Sequence, residues 1–286
     1  MVLLVLLTFF VISFITNIIG PLIPDIINDF DLNLTLVALL PFSFFIAYGI
    51  ISIPSGMLIQ KIGEKPVMIV AFGLAFIGSS IFASFPNYSL AVISLFLIGS
   101  GMAMLQVVIN PLLRVAGGEE NFAFNATLAQ LIFGLASFFS PFAFSYFVLN
   151  LNQSSIENNW FLDFFNFITP DHLLWISLYW LFAIISIIMI VIIILFNFPR
   201  VELKHDEKIG TIKTHISLLR NPVVIIYFFG IFTYVGLEQG VANWISKFLE
   251  IYHAYDPQII GAKTISWFWG LMTAGGILGV ILLKII

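Results

Sequence analysis

Glu238 is a carboxylate inside an apolar run that begins at Pro222, about 16 residues earlier and so roughly 24 Å along a helix rising 1.5 Å per residue. An ionisable group at that depth in hydrocarbon is costly, and it is kept where it faces a cavity, a partner or a proton path. A substrate or cation role for Glu238 follows. Two plainer roles stand beside it, reaching water at the outer side or pairing with Lys247. Bilayer-embedded enzyme chemistry would need paired acids, a histidine cluster, or a serine nucleophile with its base inside the apolar runs, and the sequence offers none. The chain has no cysteine, so neither a disulfide framework nor a thiolate site can be built. His172, His205, His215 and His253 fall in or near loops without clustering, so no metal centre is expected.

The elements that must hold Glu238 are set by lipid. Of 286 residues, 60% are hydrophobic and 9% charged, and the mean hydropathy is +1.09, beyond what a water-exposed surface carries. A crossing helix needs roughly 20 apolar residues. Eight such stretches are predicted, at residues 2–22, 35–59, 66–84, 89–113, 123–149, 173–198, 222–247 and 263–286. The first is not a cleaved signal, since it lacks a basic start and a small-residue cleavage site. Lys and Arg favour short cytoplasmic loops. Lys61, Lys65, Arg114, Arg200, Lys204, Lys208, Lys213 and Arg220 collect on one side, with Lys284 closing the last span there. Asp25, Asp29, Asp31, Glu157, Asp163 and Asp171 collect in the opposite loops, which also hold Lys247 and Lys263. The N-terminus is therefore predicted to be cytoplasmic. The net charge of −4 and the scattered basic residues give nucleic acid no surface.

Residues 199–221 form the longest polar stretch and read as a cytoplasmic linker between a bundle at 1–198 and a second, partial one at 222–286. Trp160, Phe161, Phe164, Phe165 and Ile168 recur at helical spacing opposite Asn158, Asn159, Asp163 and Asn166. That pattern suits a helix lying in the outer interface, or else a disordered acidic loop. Gly49, Ser52 and Gly56, and Gly275 with Gly279, place small residues three or four apart, where backbones can approach closely. The sequons at Asn33 and Asn152 would matter only in a secretory pathway.

Between the second and third stretches runs Gly56-Met57-Leu58-Ile59-Gln60-Lys61-Ile62-Gly63-Glu64-Lys65. Its glycines permit a tight turn, and its lysines can bond the carbonyls of a neighbouring helix end. The segment resembles the loop signature G-x-L-x-D-R-x-G-R-K of the major facilitator superfamily, with Gln60 where the family usually has Asp. The resemblance makes Gly56, Lys61, Gly63 and Lys65 a conformational latch, and Gln60 removes its acidic member. An ordinary basic turn would also supply Gly and Lys at these places.

Gln106 followed by Asn110-Pro111, and Leu128-Ala129-Gln130, together with Tyr234-Val235-Gly236-Leu237-Glu238 and Asn243-Trp244, resemble the fucose permease and glucose/galactose permease group within that family. The resemblance implies an all-α membrane protein of the major facilitator fold, with an N-terminal six-helix bundle and the first two helices of the C-terminal bundle. It implies transport of a hexose such as glucose, galactose or fucose by alternating access, as a cation symporter and a monomer in a bacterial inner membrane, with no enzymatic activity. Carried over by position, Asn17, Gln106, Gln130 and Glu238, with Asn243 and Trp244, line the substrate cavity. Amides suit a sugar because each offers a donor and an acceptor to a ring hydroxyl, but an amide can equally glue two helices. Asn110 is expected to satisfy backbone freed by Pro111. Trp244, Trp267 and Trp269 can present flat faces to a ring or serve as packing and interface anchors.

Gly20 and Gln106 stand where the proton-coupled fucose permeases carry an Asp and a Glu, so coupling through that pair is not expected. Sodium, a proton carried by Glu238, or no coupling ion at all remain open, and no cofactor is expected. Members of the family are built from two six-helix bundles with the substrate between them. On that pattern the chain is expected to be a fragment, a natural eight-span form being the alternative. A receptor or scaffold that has lost transport, or a facilitator of another small polar solute, is the competing function.

Overall fold

The computed structural model describes residues 1–151, 159–198 and 220–285. All regular structure among them is helical: α1 Val2–Thr16, α2 Ile19–Phe30, α3 Leu34–Ile62, α4 Glu64–Ser84, α5 Tyr88–Gly117, α6 Phe122–Leu151, α7 Trp160–Ile168, α8 Ser177–Leu195, α9 Pro222–His253 and α10 Ala262–Ile285. Seven segments among the described residues are long and apolar enough to cross a bilayer. The eighth, α10, has 24 residues and rises about 36 Å. The protein is an all-α, multi-pass membrane protein; among the described residues six of the candidate crossings lie in the first half, and α9 with the 24-residue α10 makes up the second.

The first crossing differs from its predicted form. It runs to Phe30 in two pieces, with a break at Asn17 and Ile18. Pro21 and Pro24 have no N–H to return to the carbonyls of Asn17 and Gly20, and a helix kinks where two such bonds are lost. Asp25 and Asp29, expected in an outer loop, therefore lie on α2, and Glu238 is not alone as a carboxylate within a crossing segment. Asp25 is buried because the second half of the chain packs over it.

Caps fix several starts. The side chains of Asn33, Asn87, Asn159 and Asn221 each accept a backbone N–H at the first turn of α3, α5, α7 and α9. Gly63 joins α3 to α4 at φ +84°, a left-handed conformation that costs a residue with a side chain. The helix predicted from the aromatic spacing at 160–168 is present as α7. It buries Leu162 and Phe165, and Phe165 and Phe161 meet Phe147 of α6 edge to face, while Trp160 and Phe167 stay exposed.

Within the first bundle α4 packs on α5 and α8, α3 packs on α5, and α1 packs on α6. The main pairings that join the halves are α2 with α9 and α6 with α10. The buried residues of α9 are Ala242, Asn243, Ser246 and Lys247, all in its second half, whereas its first half is exposed. The halves therefore meet at the end that carries Asp25, Asp29, Asp163 and Asp171. They separate toward the end that carries Lys61, Lys65, Arg114 and Arg220.

Three glycines of the expected small-residue seams are not at close approaches. Gly49, Gly275 and Gly279 have open space at the position of a β-carbon, while Gly20 and Gly134 sit against Ala242 and Thr273 of the other half. The linker at 199–219, its basic residues, and the Asn152 sequon lie outside the described residues.

Candidate functional site

The break in the first crossing aims Asn17 sideways into α6. Its amide donates to the Ser13 carbonyl at 3.0 Å and to Ser137 Oγ at 2.9 Å, and Ser13 Oγ lies 2.7 Å from Ser137 Oγ. Asn17 is thus an interhelical tie, one of the two roles open to an amide. Ser140 adds a second tie, its hydroxyl donating to the Phe14 carbonyl at 2.8 Å. Such bonds are worth about 0.6 kcal/mol each in a membrane bundle.

On the far side of Ser137 opens a cavity of about 500 Å³ between the two halves. The first half contributes Thr127, Gln130, Gly134 and Ser137 from α6; the second contributes Tyr234 and Glu238 from α9 and Trp269 and Thr273 from α10. Gln130 is exposed at the mouth, and Glu238 is half-buried with the Tyr234 hydroxyl hydrogen-bonded to it one helical turn away. Lys247 does not pair with Glu238. It is buried and bound to Glu250 at 2.7 Å.

The chemistry of the lining is mixed. Trp269 is 2% exposed, and its Nε1 has no hydrogen-bond partner. Thr273 Oγ1 donates back to the Trp269 carbonyl at 2.8 Å, which holds that turn of α10 beside Gly134. An apolar wall with a few convergent donors and acceptors is how a small neutral solute is held, and the volume falls within the usual range for such sites.

Of the residues singled out from the sequence, Gln130 and Glu238 share this cavity, and Asn17 backs it through Ser137. The other three stand elsewhere. Gln106 is half-buried on α5 outside the lining. Asn243 is buried and bonded to the Gln239 carbonyl within its own helix at 2.8 Å. Trp244 lies with Gly236, Leu237, Gly240, Val241, Ile245 and Phe248 along an apolar groove on another side of α9. Trp267 packs edge to face on Phe138. Trp269, one of the three tryptophans able to present a flat face to a ring, lines the cavity; Thr127 and Thr273 line it without having been singled out by any motif, because their spacing matches that of ordinary helix packing. Asn110 donates toward the Gln106 carbonyl at 3.5 Å, a bond within its own helix.

At the basic end, Lys65 Nζ donates to the carbonyls of Ile194 and Phe196 at 2.8 and 2.9 Å, at the end of α8. These are carbonyls that a helix terminus leaves without partners. Gly56 is buried, and Lys61 is exposed. No group of His, Cys, Asp or Glu among the described residues is placed to hold a metal ion.

Residues 5–286 match the family model of the Major Facilitator Superfamily. The chain is 31% identical over 282 residues to a glucose/galactose transporter of Brucella abortus, covering 96% of this chain and 64% of that protein. It is 32% identical over 125 residues to the L-fucose-proton symporter of Escherichia coli, covering 43% of this chain and 28% of that one. The crystal structure of FucP, a transporter of this superfamily in the outward conformation, superposes with a TM-score of 0.57 at 25% identity over 76% of this chain and 55% of its own. The chain thus spans somewhat less than two thirds of the Brucella relative's length. On its helix order, its glycine-and-lysine turn and this match along nearly its whole length, the chain belongs to the major facilitator superfamily.

Proposed function

We propose that the protein carrying this chain is a secondary active transporter that moves a hexose across the cytoplasmic membrane of a bacterium by alternating access. In this reading it acts as a monomer and a symporter rather than an enzyme, with its N-terminus in the cytoplasm. The observation that carries the proposal is that Gln130 and Glu238, from different halves of the chain, face one cavity of about 500 Å³. Contacts of Gly20 with Ala242 close the acidic end above it. A solute held between two halves that meet at one end and part at the other can be passed across when the contact changes ends.

The substrate class rests on two supports. The lining pairs amide and hydroxyl groups with the Trp269 face, which suits a ring bearing hydroxyls. The relatives named above are called glucose/galactose transporter and fucose-proton symporter. The coupling ion is sodium or a proton. Uptake of labelled glucose, galactose and fucose into proteoliposomes, under inward proton or sodium gradients, tests the reading; absence of uptake for all three under both gradients sinks it.

A further inference from the structure

A second cavity, of about 250 Å³, lies at the acidic junction of the two halves and is lined in part by Asp25, Asn28, Asp29, Asp171, His172 and Gln258. Asp25 is 8% exposed. Its Oδ1 accepts the Gln258 amide of the second half at 3.1 Å, and its Oδ2 is buried with no partner. Asp29 on the same helix is held by the Trp175 indole, which donates to its Oδ2 at 2.5 Å. Glu250 and Asp256 on the second half also act on Asp25 electrostatically, and both are engaged, Glu250 by Lys247 and Asp256 by the amides of Gln258 and Ile259. Among the residues lining this cavity, His172 alone can carry positive charge, and it is exposed at the rim.

We infer that the acidic junction is a proton-binding site centred on Asp25 Oδ2, and that the bound proton is what lets the two halves close there. As an anion, Asp25 would be sealed among other acids with one oxygen that nothing donates to, which is unfavourable in a poorly solvated junction. The carboxylate takes up one proton from water at that face and becomes a neutral acid. Its new O–H then has the oxygens of Asn28, Asp29 and Asp171 around the same cavity as acceptors, while Oδ1 keeps the Gln258 bond. Opening the junction removes Gln258, admits water and returns the proton to it. No three His, Cys, Asp or Glu groups among the described residues are placed to hold a metal ion, and the sodium arm of the test below separates a proton from a metal cation.

The inference rests on the alternating-access reading but is tested without sugar, so the two can fail separately. The chain has no cysteine, and spin labels at Thr35→Cys and Tyr252→Cys report the separation of the halves at the acidic end in lipid nanodiscs. The ratio of closed to open forms should rise as pH falls from 8 to 5, with about tenfold per pH unit as the ceiling for one linked proton. Asp25→Asn should hold the closed form at every pH. Gln258→Glu, which adds an acid opposite Asp25, should move the midpoint to lower pH. An Asp25→Asn variant that keeps the parental pH response overturns the inference. So does an unmoved midpoint in Gln258→Glu, or closure driven by sodium at pH 8.

Discussion

Gly20 of α2 sits so close to the backbone carbonyl of Ala242 that a β-carbon at position 20 would overlap it. That contact joins the broken first crossing to α9, and it closes one end of the cavity that Gln130 and Glu238 line from opposite halves. Gly20→Val should therefore separate α2 from α9 at the acidic end. The cost of forcing a side chain into a packed contact is about 1–3 kcal/mol, so alkylation of Ala242→Cys should quicken at least about fivefold in the Gly20→Val background. An unchanged rate means the halves do not meet there.

Glu238→Gln keeps the size of the side chain and its bond to Tyr234 while removing the charge. If Glu238 carries the coupling cation, the variant should still exchange hexose across a proteoliposome membrane at near-parental rate, yet lose accumulation against a gradient. Accumulation equal to that of the parent takes Glu238 out of the coupling step.

Asn17→Ala removes the tie to Ser137 without touching the cavity surface. Stability should fall by about 1 kcal/mol, the scale of interhelical hydrogen bonds in membranes, and show as a lower melting temperature in detergent. Hexose affinity should change less than about threefold, or roughly 0.6 kcal/mol. A large affinity loss with unchanged melting would make Asn17 a direct substrate contact instead.

Lys65→Ala frees two carbonyls at the end of α8. The last turn there should fray, and its amides should exchange with solvent about fivefold faster, the equivalent of about 1 kcal/mol of hydrogen bonding. Lys65→Met should behave like Lys65→Ala if the ammonium matters, and like the parent if only the side-chain stem does.

Much of this fold is legible in the sequence because lipid leaves a chain few choices. Apolar stretches near 20 residues long, parted by glycine, proline, asparagine and charge, give the crossings, and aromatic spacing gives α7. The first crossing misleads for a physical reason. Asp25 and Asp29 look like loop residues until Gln258 is seen to donate to one oxygen of Asp25 and Trp175 to one of Asp29, and those partners lie 233 and 146 positions away. The cavity is half legible. Glu238 betrays itself by cost and Gln130 by family pattern. Asn243 and Trp244 belong to the same family pattern, but their positions around α9 turn them to other neighbours. Trp269 stands out only as one of three tryptophans that could face a ring or anchor packing, Thr273 carries no signal beyond helical packing, and the approach of α10 to Gly134 brings both to the site.

The most direct test of a hexose site between the halves is protection from alkylation. Thr127→Cys and Thr273→Cys place thiols on opposite walls of the cavity, and Gly240→Cys places one in the groove on another side of α9. A bound hexose should slow modification at Thr127→Cys and Thr273→Cys and leave Gly240→Cys unchanged. Equal protection at all three positions, or none at either cavity position with any hexose, would contradict the site.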